Sequence, residues 1–395
     1  MKKIIILVIA LLLLSGCKKN EPLVQKEELD IIVASDLHYF DPDLYKDCDH
    51  FEEILLYGDG RMIHQGDLII DTFIDEVITQ HPDLLVLTGD LTFNGEKTSH
   101  EKLSEKLMRL KDHDIPVAII PGNHDIDNFF AKGYSNEGYT SCDSVTLEEF
   151  KKIYQPFIYE NLDKTSASHV LSLNEKFDLI LLDDGTSGKI SDETKTWLAN
   201  SLTTSSSQDK TPIVAMHHNL AIHNNLLNSG YTITDHESYV DLFNEHQVPF
   251  VLSGHIHCQH IQEIDGIYDI ATATLLNAPF QYGKIHLTSS SMTYENKALD
   301  IDLDASFFNQ TTRLTFGEQL TSIEDESIKD TILNTLVLAN RYYFSGNIYD
   351  HQEEILNSPG YALIQEHKDE LEFIDEYLQS MLEDDHSSNQ LSLEL

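Results

Sequence analysis

Six short, unbroken apolar runs dominate the first two-thirds of the chain: "IIVAS" (Ile31–Ser35), "LLVLTG" (Leu84–Gly89), "VAII" (Val117–Ile120), "LILLD" (Leu179–Asp183), "IVAM" (Ile213–Met216) and "FVLSG" (Phe250–Gly254). Each has the length of a strand. Each is continuous rather than alternating, as strands covered on both faces are. Between them lie polar stretches with helical spacing of apolar residues, near Leu68–Gln80, Ser99–Asp112, Thr146–Tyr154, Asp192–Ser201 and His236–His246. Strand alternating with helix predicts an α/β layered fold. After about Leu303 the pattern changes. Residues 323–383 show helical periodicity with a Pro-Gly break at Pro359-Gly360, which predicts a smaller all-helical C-terminal subdomain. The last ten residues, "HSSNQLSLEL", read as a frayed tail.

The residues directly after these runs are unusual. Asp36-Leu37-His38 comes after the first, Asp90 after the second, and Asn123-His124-Asp125 after the third. His217-His218 comes after "IVAM", and His255-Ile256-His257 after "FVLSG". Any one of these is ordinary turn chemistry. Five in a row, each at a strand end, is not. In α/β sheets the carboxyl ends of strands gather at a common edge, where ligands bind. The pattern therefore predicts one site, assembled from segments more than two hundred residues apart. Its donors are imidazole, carboxylate and one amide, without thiolate. That set suits Mn, Fe, Zn or Co, and suits Mg or Ca less, because those ions favour all-oxygen shells.

Charge narrows the partners. With 26 basic and 67 acidic side chains the formal net charge is -41, which argues against a nucleic-acid duplex as ligand and against a polybasic hold on anionic lipid. The N-terminus reads as a leader. Lys2 and Lys3 precede an apolar run, Ile4–Leu14, that is too short to span a bilayer. It ends in "LSGC", which resembles a bacterial lipoprotein signal. That likeness implies cleavage before Cys17, lipid on its sulfur, a tether over residues 17–29 and a place on the outer face of a membrane. Three other cysteines remain, too few for a disulfide scaffold. Cys48 and Cys142 are the candidate pair.

Taken in order, "SDLH", "TGDL", "PGNHD", "MHHN" and "SGHIH" resemble the motif series of the calcineurin-like metallophosphoesterase superfamily. The resemblance implies a four-layer αββα sandwich over residues 30–303, with the helical part after it over 304–395. It implies two divalent transition-metal ions, one on Asp36, His38 and His257, the other on Asn123, His217 and His255, with Asp90 bridging. His217 is the better candidate than His218 because it directly follows the strand. Two such ions about 3.5–4 Å apart can hold a hydroxide at neutral pH and clamp an in-line displacement at phosphorus. His124 matches the non-ligand histidine, placed to bond a phosphoryl oxygen or protonate the leaving oxygen, with Asp125 to orient and charge its ring. Purple acid phosphatases carry a Tyr three residues after the bridging Asp. Phe93 stands there, so a tyrosinate–iron site is not expected.

The leader, the stretch "LTGDLTFNGEKTSHEKL" and the helical tail together resemble secreted bacterial class III cyclic-nucleotide phosphodiesterases. That likeness implies a small-molecule phosphodiester substrate, with 3′,5′-cyclic nucleotides first. The same metals would serve an extracytoplasmic phosphomonoesterase of broad specificity. A partner-binding lipoprotein with a vestigial site is a third reading, against which stands a ligand set that has lost no member. The insertion Tyr39–Gly66 is either a substrate rim or a solvated excursion.

Overall fold

The computed structural model describes residues 22–395, so the predicted leader and Cys17 lie outside the described residues. The strands are β1 (Leu29–Ala34), β2 (Leu84–Thr88), β3 (Val117–Ile120), β4 (Lys132–Ser135), β5 (Gly138–Ser141), β6 (His169–Ser172) and β7 (Phe177–Leu181). They continue as β8 (Thr211–Ala215), β9 (Phe250–Ser253), β10 (His260–Ile264), β11 (Ile267–Ala271), β12 (Gln281–Leu287), β13 (Ser291–Ala298) and β14 (Gln390–Glu394). The longer helices are α1 (Gly66–Gln80), α2 (Lys97–Asp112), α3 (Leu147–Ile153), α4 (Asp192–Ser207) and α5 (His236–Glu245). The C-terminal set is α6 (Ser306–Gly317), α7 (Glu326–Phe344), α8 (Pro359–Glu366) and α9 (Glu372–Leu382).

Two six-stranded sheets form the centre. One runs β14-β13-β12-β1-β2-β3, the other β10-β11-β9-β8-β7-β6. The six runs predicted as strands are β1, β2, β3, β7, β8 and β9, and they occupy the sheet interiors or the parallel stretch β1-β2-β3. β2 is buried at all five positions, as a two-faced apolar run requires. Alternate residues then serve two cores. Val33, Val86 and Ala118 of the first sheet meet Leu179, Ile213 and Leu252 of the second between the sheets. Ile32, Leu87 and Ile119 face outward against Phe73, Leu103 and Phe150 of α1, α2 and α3. Ile180, Val214 and Val251 face α4 and α5 through Leu198, Leu202 and Phe243. The result is a helix–sheet–sheet–helix sandwich, the predicted four layers.

Helices α6 to α9 close around Ile332, Leu336, Ala339 and Leu378. Cys258 and Ile256, from the segment after β9, join that cluster, so the helical part grips the chain beside the last motif. Local signals set its boundaries. Asp325 caps α7 by accepting from Ser327 N, and Pro359 opens α8 behind a Ser358 cap.

Two expectations are corrected. The chain end is not frayed: β14 pairs antiparallel with β13, and Leu391 and Leu393 pack against the inter-sheet core. The alternation of Leu391 and Leu393 is a strand pattern, but its partner lies about a hundred residues earlier in the chain, where local reading does not reach. Cys48 and Cys142 are free, as is Cys258. The Tyr39–Gly66 excursion is folded. Phe40, Tyr45 and Phe51 stack on one another, with Phe40 and Phe51 buried.

Candidate active site

The turns after β1, β2, β3, β8 and β9 converge on one edge of the sandwich. Five of the candidate ligands sit in left-handed backbone: Asp36 (φ 52°), His38 (φ 38°), Asp90 (φ 45°), His255 (φ 69°) and His257 (φ 58°). Such conformations are costly for residues with a Cβ and persist where surrounding contacts over-determine them, which is common at functional sites. Backbone bonds lock the turns together: Asp36 N donates to Gly89 O, and His38 N to Asp90 O. Gly122 and Gly254 are needed for close approach. A Cβ on Gly122 would lie 2.3 Å from Asp90 Oδ1, and one on Gly254 would lie 1.8 Å from Ser35 Oγ and 2.6 Å from Asp36 Oδ2.

The convergent atoms fall into two groups that share a carboxylate. Asp36, His38, Asp90 and His257 form one, and Asp90, His217 and His255 the other, the ligand atoms within each lying within 4.8 Å of one another. Asn123 Oδ1 joins the second, 2.9 Å from His217 Nε2. In the first group His38 Nε2 and His257 Nε2 are 3.1 Å apart, and Asp36 Oδ1 lies 3.4 Å from His257 Nε2. Asp90 reaches both groups: Oδ2 is 3.6 Å from His38 Nε2, and Oδ1 is 3.4 Å from His217 Nε2.

These atoms fit a cation. Asp36 Oδ1 and Asp90 Oδ2 are buried without a hydrogen-bond partner, a costly state for carboxylate oxygens unless positive charge meets them. The protonation pattern says the same. Burial opposes ionisation of Asp90, yet His217, His124 and His38 hold its carboxyl well below the usual range. Burial opposes charge on His217 too, but Asp90 and Asp36 outweigh it and raise it to about 10. For His257, burial is outweighed by Asp59 and Asp36, which raise it to about 9. His38 and His255 are driven the other way, chiefly by burial, His255 to about 3. The carboxylates thus favour positive charge at His217 and His257, the charge that a bound cation would supply instead.

The imidazoles are oriented from behind. His217 Nδ1 donates to Thr88 O at 2.9 Å, which turns Nε2 inward. His218 is held elsewhere: its Nδ1 lies 3.0 Å from Asp184 Oδ1, and its ring packs on that of His255 with centroids 4.4 Å apart. Asp184 also accepts from His217 N and His218 N. Sequence reasoning missed this residue, although "LLDD" after β7 was the signal, a sixth strand ending in acid. Also missed was Asp59, in the Tyr39–Gly66 excursion, whose carboxylate accepts from His257 Nδ1. Nothing local marks it.

His124 lies at the mouth, its side chain 27% exposed, with Nε2 3.9 Å from Asp90 Oδ2. Its ring is oriented differently from expectation. Nδ1 donates to Phe93 O at 2.6 Å, with Asn94 Oδ1 at 3.2 Å. Asp125 is not its partner. That carboxylate is fully buried and accepts from Leu91 N, Thr92 N, Thr92 Oγ1 and Gly122 N at 2.8–3.0 Å. It ties the Asp90 turn to the Asn123 turn. The reason is geometric: consecutive side chains in a tight turn diverge, and four donors converge on the inner one.

Residues 29–259, more than half of the chain, match the family described as Calcineurin-like phosphoesterase, and residues 303–388 match the C-terminal domain of cyclic nucleotide phosphodiesterase. The chain is 25% identical over 185 residues to a "Probable cyclic nucleotide phosphodiesterase" of Moraxella catarrhalis, covering 46% of this chain and 60% of that protein. It is 26% identical over 194 residues to one of the same name from Psychrobacter arcticus, covering 47% and 60%. Each match thus spans less than two-thirds of the relative. Among solved structures, a dimetal phosphatase from Danio rerio shares the fold, with a TM-score of 0.52 at 14% identity over 70% of this chain and 98% of that one. Fold and site together define an α/β sandwich that carries a candidate centre for two metal ions. The chain belongs to the calcineurin-like phosphoesterase family.

Proposed function

We propose that the protein hydrolyses phosphodiesters, 3′,5′-cyclic nucleotides first among them, using two divalent transition-metal ions from the set Mn, Fe, Zn and Co. The observation that carries the reading is Asp90, a buried carboxylate shared by two complete ligand groups, in a chain whose helical part matches the C-terminal domain of cyclic nucleotide phosphodiesterases. Asp36, His38, Asp90 and His257 would hold one ion, and Asp90, Asn123, His217 and His255 the other. Bound there, two ions supply Lewis acidity toward phosphoryl oxygens and a nucleophile at neutral pH.

The chain's own groups do the rest. Thr88 O fixes the His217 tautomer, and Asp59 that of His257. His124, held by Phe93 O, presents Nε2 to the mouth, where it can donate to a phosphoryl oxygen or return a proton to the leaving oxygen. In a cyclic diester that leaving oxygen stays on the ribose, so the product is a nucleoside monophosphate.

Comparing kcat/KM for cyclic AMP, cyclic GMP, a linear aryl diester and an aryl monoester tests the reading. Diesters are expected to lead. A monoester preferred tenfold or more, about 1.4 kcal/mol in transition-state stabilisation, would establish the scavenging phosphatase instead. We also propose a lipid anchor on Cys17 that places the enzyme outside the cytoplasmic membrane. Wild type should then partition with membranes, and Cys17→Ser should not; unlipidated wild type in the soluble fraction rejects the anchor.

A further inference from the structure

The two ligand groups are braced in different ways. His217 leans on Thr88 O, a backbone atom of a central strand. His257 leans on Asp59, a side chain of the excursion between the first two motifs. The Asp59 carboxylate is bound at both ends. One oxygen accepts from His257 Nδ1, and the other accepts from Arg61 Nε at 2.7 Å. Donation from Nδ1 leaves the neutral ring its lone pair on Nε2, the atom beside Asp36 Oδ1 and His38 Nε2.

The C-terminal helices in turn pack against the segment that carries Asp59. The next residue, Gly60, has φ +92° and lies against Phe308 of α6; a Cβ there would be 2.6 Å from Phe308 Cδ2. Phe308 is 3% exposed and rests edge-on against Phe344 at the end of α7, with ring centroids 5.3 Å apart. The adjacent Phe307 packs on His64 at 4.9 Å, so two consecutive aromatic residues of α6 cover the excursion on either side of Arg61. A contiguous line of contacts therefore runs from α7 through Phe308, Gly60 and Asp59 to His257.

We propose that Asp59 is a positioning residue for His257 and that α6 holds it there through Phe308. Retention of the ion on Asp36, His38, Asp90 and His257 then depends on this Phe308–Asp59 brace, whereas the ion on Asn123, His217 and His255 does not. This rests on the two-ion reading of the site. It gives the helical subdomain a role in metal loading beside the hold that its core has on Ile256, between His255 and His257, and on Cys258.

The test uses the full chain, stripped of metal and titrated with Mn²⁺ and with Co²⁺ by calorimetry, with the Co²⁺ absorption bands as a second readout. Wild type binding two ions supports the underlying reading, and a wild type that binds none rejects that reading whatever the Asp59 and Phe308 variants do. Asp59→Asn, which keeps the shape and removes the charge, is expected to bind one ion as wild type does. The other should weaken by about 10- to 100-fold, the usual effect of losing such a partner. Phe308→Ala should weaken that same ion, with Phe308→Leu intermediate. Should Asp59→Asn fail to fold by circular dichroism, Asp59→Glu takes its place, since it keeps the charge but displaces it. Both ions retained within twofold in the Asp59 variant overturn the positioning role. Equal weakening of both ions overturns the asymmetry. Phe308 variants that load both ions like wild type overturn the part given to the C-terminal helices.

Discussion

His124 and Asp125 are neighbours in sequence, yet they face different tasks. His124 contributes a ring to the mouth and a backbone N–H to Asp90 Oδ1, at 2.8 Å. Replacing it with Ala removes the first and keeps the second. His124→Ala should therefore hold its two ions while kcat on diesters falls by about 10²- to 10⁴-fold, the range for a lost general acid. Elemental analysis beside steady-state kinetics checks both halves; lost metal, or wild-type turnover, contradicts the assignment. Asp125→Asn should act through the fold. An amide presents an NH₂ group to N–H donors that now meet a carboxylate oxygen, at a cost of about 1–3 kcal/mol. A lowered Tm of the metal-free protein is the expected outcome. An unchanged Tm with lost turnover would restore Asp125 as an orienting group.

At the scale of the element, each motif is a strand that ends in a turn, and the turns are packed to contact. The β9 turn shows how tightly. His255 N donates to Asp36 Oδ2 at 3.0 Å, so the last motif is fastened to the first. Gly254 makes that approach possible. Gly254→Ala should push Asp36 aside, with about 1–3 kcal/mol of destabilisation from overpacking and loss of metal from the Asp36 group. Differential scanning calorimetry and metal counting read the two effects. Full metal content in Gly254→Ala would show that the turn can relax. The sheet edge illustrates the opposite case. The edge strand β14 alternates in polarity and gains its identity by pairing across the chain with β13, which itself pairs locally with β12.

At the scale of the whole molecule, buried histidines outside the site give the fold an acid limit. His169 is fully buried, its Nδ1 donates to Ala167 O, and its Nε2 has no partner. Burial lowers it to about 4. His100, held by Tyr154 and Asp125 O, is lowered to about 3 by the same cause. The unfolded chain, with His near 6.5, then binds more protons than the folded one across the interval from about 6.5 down to the folded values. Stability falls as pH falls through that window, by up to about 1.4 kcal/mol per pH unit for each group. His169→Phe should flatten the plot of unfolding free energy against pH between about 4 and 6.5. An unchanged slope would mean that His169 titrates normally in the fold.

What the sequence determined by itself was the local part: six central strands, the helices between them, and the polar groups delivered at five strand ends. Apolar runs and turn residues act over a few positions, so they are legible without a partner. Tertiary structure alone decided which of those groups met, and what stood behind them. Asp59 reaches His257 across 198 positions and Asp184 reaches His217 across 33. β14 finds β13 only once the helical subdomain has brought the chain back. The orientation of His124 belongs here too. Asp125 was the near candidate in sequence, but a hydrogen bond is won by the acceptor at the right distance and angle. In the folded turn that acceptor is the carbonyl of Phe93.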